Sequence, residues 1–537
     1  MDALPPARES PSRFAWIVPI ATVFLASACI MVIELVAGRL IARHVGSSLY
    51  TWTSVIGIVL SGIAAGNYVG GRLADRFPPK ETLAAIFLVA SANCLVIPLL
   101  NDRVGGLDAL RDMDWPLRIA AHVFLVFFLP SSLLGMISPV AAKMAIVLGK
   151  QLGRTVGSVY SWGAIGSILG TFLTGYLLIA QMGTTSVLLA VAGVLLLMAL
   201  AYGGSSLLPY LWTGVLLAVF TAAWAPFPWA RTVGERIGFR EPSRASTFFL
   251  EESQYSFIRV DDVTETPGLR SMTLDYLVHA YVDMEDPDRL HYDYERIYAG
   301  VTVEAVREYH PDAPVRALFL GGGGYVFPRW FLRRYPHGFG EVVEIDPQVT
   351  RAAFDAFGLE ADTPLRIIHL DARNRVEELY ARAVSGVEVE KFDLVYNDAF
   401  NHYSPPFHLT TVEYVRKLRA LMSDESVFLA NTIDIFRSGR FLGAVINTVE
   451  QVFPYVYTFC TSPGGPSDDD ERDTFVVAGS TRKLPVQDLD YVEYSAALLS
   501  ARDLATLRRR SVGLVLTDDF APVDNLLAPV IRLVEKR

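Results

Sequence analysis

Val315-Arg316-Ala317-Leu318-Phe319-Leu320-Gly321-Gly322-Gly323-Gly324 is the stretch that decides the fold of the C-terminal half of this chain. Its apolar run fits a strand buried on both faces of a parallel sheet. The glycines that close it let the backbone turn sharply and approach a ligand without Cβ clashes. A helical segment with Arg329, Trp330 and Leu332 follows. The next strand, Glu341-Val342-Val343-Glu344-Ile345-Asp346, ends in acids about 20 residues past the glycines, a place suited to gripping ribose hydroxyls. Glu344 is chosen for that role, with Asp346 beside it.

Two more strands extend the pattern. Leu365-Arg366-Ile367-Ile368-His369-Leu370 delivers Asp371-Ala372-Arg373 to a position from which an adenine ring can be read. Phe392-Asp393-Leu394-Val395-Tyr396-Asn397 delivers Asp398. Ligands of open α/β sheets sit outside the carboxyl ends of the strands. Glycine, acid, acid and acid at successive strand ends therefore predict a site for an adenosyl-type cofactor. Upstream, Tyr255–Val260 and Ser271–Asp275 alternate as short strands of a small antiparallel unit.

The N-terminal half has another character. Apolar residues make up 52% of the 537, charged ones 19%, and the polar residues gather mostly after residue 228. Apolar runs at roughly 15–36, 51–73, 82–101, 117–142, 156–180, 183–203 and 207–226 are each long enough to cross a bilayer, which takes about 20 residues. Small residues recur in Ser61–Gly66 and Gly163–Gly170, a spacing that lets helices pack closely in lipid. Glu34, with Arg39 after it, and the polar Asn67 and His122 lie at depth, suited to a packing pair or to a substrate or proton path. Gly71–Phe77 resembles a loop of major-facilitator transporters, and Gly163–Gly175 is similar to a glycine-rich helix of the same superfamily.

The predicted class is a multi-pass α-helical membrane domain followed by an α/β Rossmann-like methyltransferase-type domain with a small N-terminal β unit. Its divisions are a tail at 1–14, a bundle of about seven spans at 15–226, a linker and β unit at 227–290, and the Rossmann domain at 291–537. A net charge of −10 argues against a nucleic-acid partner. Cys29, Cys94 and Cys460 are too scattered for a disulfide framework or zinc site, and no metal is expected. Basic residues flank the apolar runs on both sides, so the charge pattern leaves sidedness open: seven spans from a cytoplasmic N-terminus would put the C-terminal domain outside, and six or eight would put it inside. The expected setting is the plasma membrane, with a cytoplasmic catalytic domain favoured because an adenosyl cofactor is expected there.

With these motifs in order, residues 245–530 resemble the spermidine synthase (polyamine aminopropyltransferase) family in its bacterial membrane-fused form. Glu252–Ile258 is similar to its first strand and Leu274-Asp275 to its next; Tyr294-Glu295 stands where the family has histidine and glutamate. Leu320–Gly324, Val343–Asp346 and Asp371-Ala372 resemble its donor site, Asp398–Pro406 and His408–Thr411 its catalytic loop, and Thr517–Pro522 a C-terminal signature. The resemblance implies aminopropyl transfer from decarboxylated S-adenosylmethionine to a small-molecule amine, with Asp398 as general base, and a homodimer. It assigns Gly321, Gly322, Gly323, Glu344, Asp346, Asp371, Ala372 and Ser256 to the donor. Tyr255, Asp275, His279, Tyr294, Glu295, Asn401 and Tyr403 fall to the amine.

The departures are Ser256 for a glutamine, Gly324 for an acid that grips the donor's ammonium, Tyr294 for a histidine, and Asn401 for a second acid. Adenosine positions survive better than amine positions. Two alternatives stay open: a methyltransferase using intact S-adenosylmethionine, and a transporter or sensor responsive to a polyamine or nucleotide. Asp518 and Asp519 could bind an amine or dock the C-terminus. Cys460 reads as structural, and Ser467–Glu471 as a solvated loop.

Overall fold

The computed structural model describes residues 17–111, 113–147, 152–204, 206–242, 246–400, 404–462, 465–467, 471–486, 489–491 and 494–534. The chain forms two compact units, Met1–Pro242 and Ser243–Arg537.

Among the described residues of the first unit, six helices are long and apolar enough to cross a membrane: Ile17–Val45, Leu49–Arg76, Pro79–Gly105, Trp115–Val147, Gly153–Gly203 and Leu207–Trp224. The fifth has 51 residues, about twice what a bilayer needs. It is broken at Gly183, whose φ of 69° is not helical, so two of the seven expected runs share this one helix. Glycine spacing sets the packing. A Cβ on Gly66 would lie 2.1 Å from the Ser132 carbonyl oxygen, and one on Gly166 would lie 2.2 Å from that of Phe24. Larger residues cannot occupy these crossings. His122 is fully buried and bonds through Nε2 to Asn101 Oδ1 at 3.1 Å, whereas Asn67 is exposed on the outside of its helix. Residues 228–236 form a further short helix that belongs to this unit.

The second unit opens with an antiparallel sheet, β1 (Thr247–Glu252), β2 (Phe257–Asp262), β3 (Leu269–Leu274) and β4 (Leu277–Asp283), paired in chain order. Glu252–Ile258 is therefore not one strand. It is the end of β1, a turn and the start of β2. Ser253 makes the turn, its Oγ accepting from the amides of Tyr255 and Ser256 at 2.9 Å.

Next come β5 (Arg316–Leu320), β6 (Phe339–Glu344), β7 (Arg366–His369), β8 (Phe392–Asn397), β9 (Met422–Ile435), β10 (Tyr455–Cys460), β11 (Arg472–Ser480), β12 (Leu489–Tyr491) and β13 (Tyr494–Leu498). Their order across the sheet is β7-β6-β5-β8-β9-β11-β10-β13-β12. The strands β7 to β9 run parallel, and β11 joins β9 antiparallel. This is the expected Rossmann-like, methyltransferase-type sheet. Order reverses between β5 and β8, which opens a crevice at their carboxyl ends. One apolar core, around Phe319, Phe331 and Tyr396, lies on one face of the sheet; the other, around Leu318, Val395 and Phe428, lies on the opposite face. Alternate β5 residues feed opposite cores because a strand has a side-chain period of two.

Candidate active site

The glycine turn after β5 is fixed by sterics. Gly321 has φ +107°, and a Cβ there would lie 2.6 Å from the Asp398 carbonyl oxygen, so the turn is pressed against the end of β8. The amide of Gly322 donates to Glu344 Oε2 at 2.9 Å and that of Asp346 to Glu344 Oε1 at 2.9 Å. Glu344 thus ties the glycine turn to the end of β6. Burial pushes its pKa up to about 7 against the pull of these backbone donors. With a third backbone donor at Gly323, about three of the carboxylate's roughly four lone-pair directions are taken, which leaves one for a ribose hydroxyl.

Asp346 is 2% exposed. It caps the helix Pro347–Ala356 by accepting from Gln348 N at 2.9 Å, and it also receives the Ser253 hydroxyl. Its oxygens are engaged in joining the antiparallel sheet to the Rossmann sheet. Asp371 caps Ala372–Val384 through Asn374 N at 3.0 Å and faces His408 Nε2 at 3.4 Å. The His408 contact, aided by backbone donors, holds its carboxyl below the usual range. Ala372 is buried in the core beneath it.

A cavity of about 180 Å³ opens beside the turn. Its floor is Gly321–Gly324, and Asp398, Glu295, His279, Tyr294, Tyr298 and Asn431 are among its walls. Asp398 Oδ1 accepts from Asn431 Nδ2 at 2.9 Å, and the Tyr294 hydroxyl also donates to this carboxylate. Burial raises the Asp398 pKa to about 7, with those two donors opposing it. Glu295 rises to about 8, chiefly by burial and then by the charge of Asp398. Burial lowers His279 to about 4, so its ring is neutral at neutral pH. Two acids poised near neutrality in one aromatic pocket suit the exchange of a proton with a bound amine.

Three buried polar atoms on these lining residues have no hydrogen-bond partner among the described residues: His279 Nε2, Glu295 Oε2 and Asn431 Oδ1. Native proteins rarely leave such groups unsatisfied unless a ligand or water completes them. A glycine cradle backed by Glu344, next to a pocket with unpartnered carbonyl and carboxyl oxygens, fits an adenosyl group that ends in a cationic chain.

The remaining predicted residues lie elsewhere. Asp275, at φ 56°, closes the β3–β4 turn and accepts from Phe257 N at 3.0 Å, so it braces the antiparallel sheet. Tyr255 is 43% exposed, and Ser256 sits with it in the β1–β2 turn; neither lines the cavity. Asn401 and Tyr403 lie outside the described residues. Gly324 gives the clearest outcome for a departure: a Cβ there would meet Phe357 Cε1 at 2.4 Å and Ala280 Cβ at 2.7 Å. The space that an acid would occupy is filled by an aromatic ring. Arg373 and Asp518 form an ion pair at 2.7 Å, and Thr411 Oγ1 donates to Asp518 at 2.6 Å. Asp518 therefore docks the C-terminal segment. Sequence reading missed Asn431, Tyr298 and Arg472, all on the cavity wall.

No family model matches the chain. Over 180 residues it is 30% identical to the polyamine aminopropyltransferase of Vibrio vulnificus, covering 33% of this chain and 54% of that one. Over 148 residues it is 28% identical to the eEF1A lysine and N-terminal methyltransferase of Danio rerio, covering 27% of this chain and 21% of that one. Among solved structures, a probable spermidine synthase from Corynebacterium glutamicum matches with a TM-score of 0.43 and 18% identity, over 52% of this chain and 99% of that one. The chain thus spans about half the length of the first relative and about a fifth of the second. The sheet order and the acids at its strand ends fit a Rossmann-like, methyltransferase-type fold, and the matched stretches are similar to both aminopropyltransferases and methyltransferases. Over those residues the chain is a homologue of the polyamine aminopropyltransferases, and its N-terminal helices fit the membrane-fused form.

Proposed function

We propose that this protein is a membrane-embedded transferase that moves an aminopropyl group from decarboxylated S-adenosylmethionine to an amine. The observation that carries this reading is the pairing of Asp398 and Glu295, two buried acids raised to about 7 and about 8, beside the glycine turn. The donor supplies an electrophilic carbon bonded to a sulfonium. Gly321–Gly323, Glu344 and Asp371 would hold its adenosine. Asp398 takes a proton from the acceptor ammonium, and the freed nitrogen lone pair forms the new C–N bond as the C–S bond breaks. The sulfur keeps the bonding electrons and leaves as a neutral thioether, methylthioadenosine. The tyrosine rings offset the cationic charge of the bound amine, and that charge draws Glu295 back toward its ionised form.

The test is to incubate the full-length protein with decarboxylated S-adenosylmethionine and a panel of amines and to follow methylthioadenosine. Release that depends on the amine supports the proposal. Nucleotide binding with no release for any amine overturns it.

One observation favours a second reading. Phe357 and Ala280 fill the place of an acid that would grip the donor's ammonium, which suits a methyltransferase using intact S-adenosylmethionine. Calorimetric titration with both nucleotides separates the two, because preference for the decarboxylated form counts against methyl transfer.

A further inference from the structure

Asn431 belongs to no motif, yet it stands where the base is held. Asn397 of β8 is in parallel register with Ala430 of β9, so the next residues on each strand, Asp398 and Asn431, emerge side by side at the carboxyl edge of the sheet. Asn431 is 9% exposed. Its Nδ2 donates to Asp398 Oδ1 at 2.9 Å, while its own Oδ1 is buried without a partner among the described residues. It also separates the main cavity from a smaller void of about 20 Å³ behind it, lined by Asn397, Leu409 and Thr410.

The two ends of this amide are chemically distinct. The NH2 end can only donate and the carbonyl end can only accept. A carboxylate that bonds the NH2 end through one oxygen is held in rotation and keeps its other oxygen for the substrate. An orphaned carbonyl at this position lacks a donor, and an ammonium is rich in donors. A donor-bearing group in the site would complete the hydrogen bonding of Asn431.

We propose that Asn431 is a positioning residue of the amine half-site: its Nδ2 fixes the Asp398 carboxylate, and its Oδ1 receives an N–H of the incoming amine. This inference rests on the reading of Asp398 as the base. Loss of the Nδ2 donor also removes one of the two interactions that favour the charged form of Asp398, so the acid limb of the pH profile must move to higher pH.

The experiment compares full-length wild type, Asn431→Leu and Asn431→Gln by methylthioadenosine release against amine concentration and pH. Nucleotide affinity and melting temperature are recorded for each. For Asn431→Leu the expected result is about a tenfold or larger fall in kcat/KM for the amine, as for a lost hydrogen bond to a charged group. With it should come a rise in KM, an acid limb displaced upward and unchanged nucleotide affinity. Asn431→Gln, which keeps the amide, should recover part of the loss. An unchanged pH profile and KM in a folded Asn431→Leu would overturn the inference. If that variant does not fold, the decision falls to Asn431→Ala, where a raised KM with an upward-displaced acid limb supports the role and wild-type KM with a fixed acid limb removes it. Failure of wild type to release product with any amine would instead sink the underlying reaction.

Discussion

Asp398 sits where its charge is disfavoured, and this gives two predictions with definite signs. A base works in its deprotonated form, so kcat/KM should climb as pH rises through about 7 and fall away below it. Stability runs the other way. A carboxyl whose folded pKa lies above its unfolded one binds more protons when folded, so stability is lost as pH rises from the ordinary carboxylate range through about 7. Asp398→Asn, which is neutral at every pH, should melt higher than wild type at about pH 8 and alongside it near pH 4, as read by calorimetry. At Gly324, restoring an acid should fail. Gly324→Asp places Cβ within 2.7 Å of both Phe357 and Ala280 and should cost about 1–3 kcal/mol in denaturant melts, and a smaller increment when introduced into a Phe357→Ala background. Glu344 and Asp398 were legible in the sequence because each is an acid following an apolar strand. Asn431 was not, since an amide inside the strand Met422–Ile435 has no local signature and acquires its role through pairing with the strand that ends at Asn397.

At the scale of elements, glycine placement governs the helical unit and the C-terminal dock governs the Rossmann edge. Gly66→Leu would force a side chain into the Ser132 carbonyl and should part the helices Leu49–Arg76 and Trp115–Gly135, lowering the melting temperature in detergent. Asp518→Ala should leave the sheet intact but raise hydrogen exchange in 516–534. Its energetic cost should be only about 1 kcal/mol, because the carboxylate is 43% exposed and its pair with Arg373 is screened. The strands that end at Leu320 and Asn397 fall within a residue of where apolar runs place them. The turn at Ser253 was hidden because alternation continues through Tyr255 and Ser256, and only the hydrogen bonds of Ser253 reveal the reversal. The helix count differed for a similar reason, since a kink at Gly183 divides one helix without ending it.

For the whole molecule, composition announced two parts, and the fold separates them at Pro242 and Ser243. Both large cores of the second unit draw only on its own residues, so residues 243–537 expressed alone should fold cooperatively and bind the nucleotide. What composition could not announce is how the strand ends converge. Glu295, from a helix, and His279, from β4, reach the Asp398 cavity only through tertiary packing. The most direct measurement of the central claim compares full-length wild type with Asp398→Asn at about pH 8, recording nucleotide affinity and amine-dependent methylthioadenosine release together. The account predicts equal nucleotide affinity and a loss of release of roughly a hundredfold to ten-thousandfold in the variant. Equal release by the two proteins would contradict it.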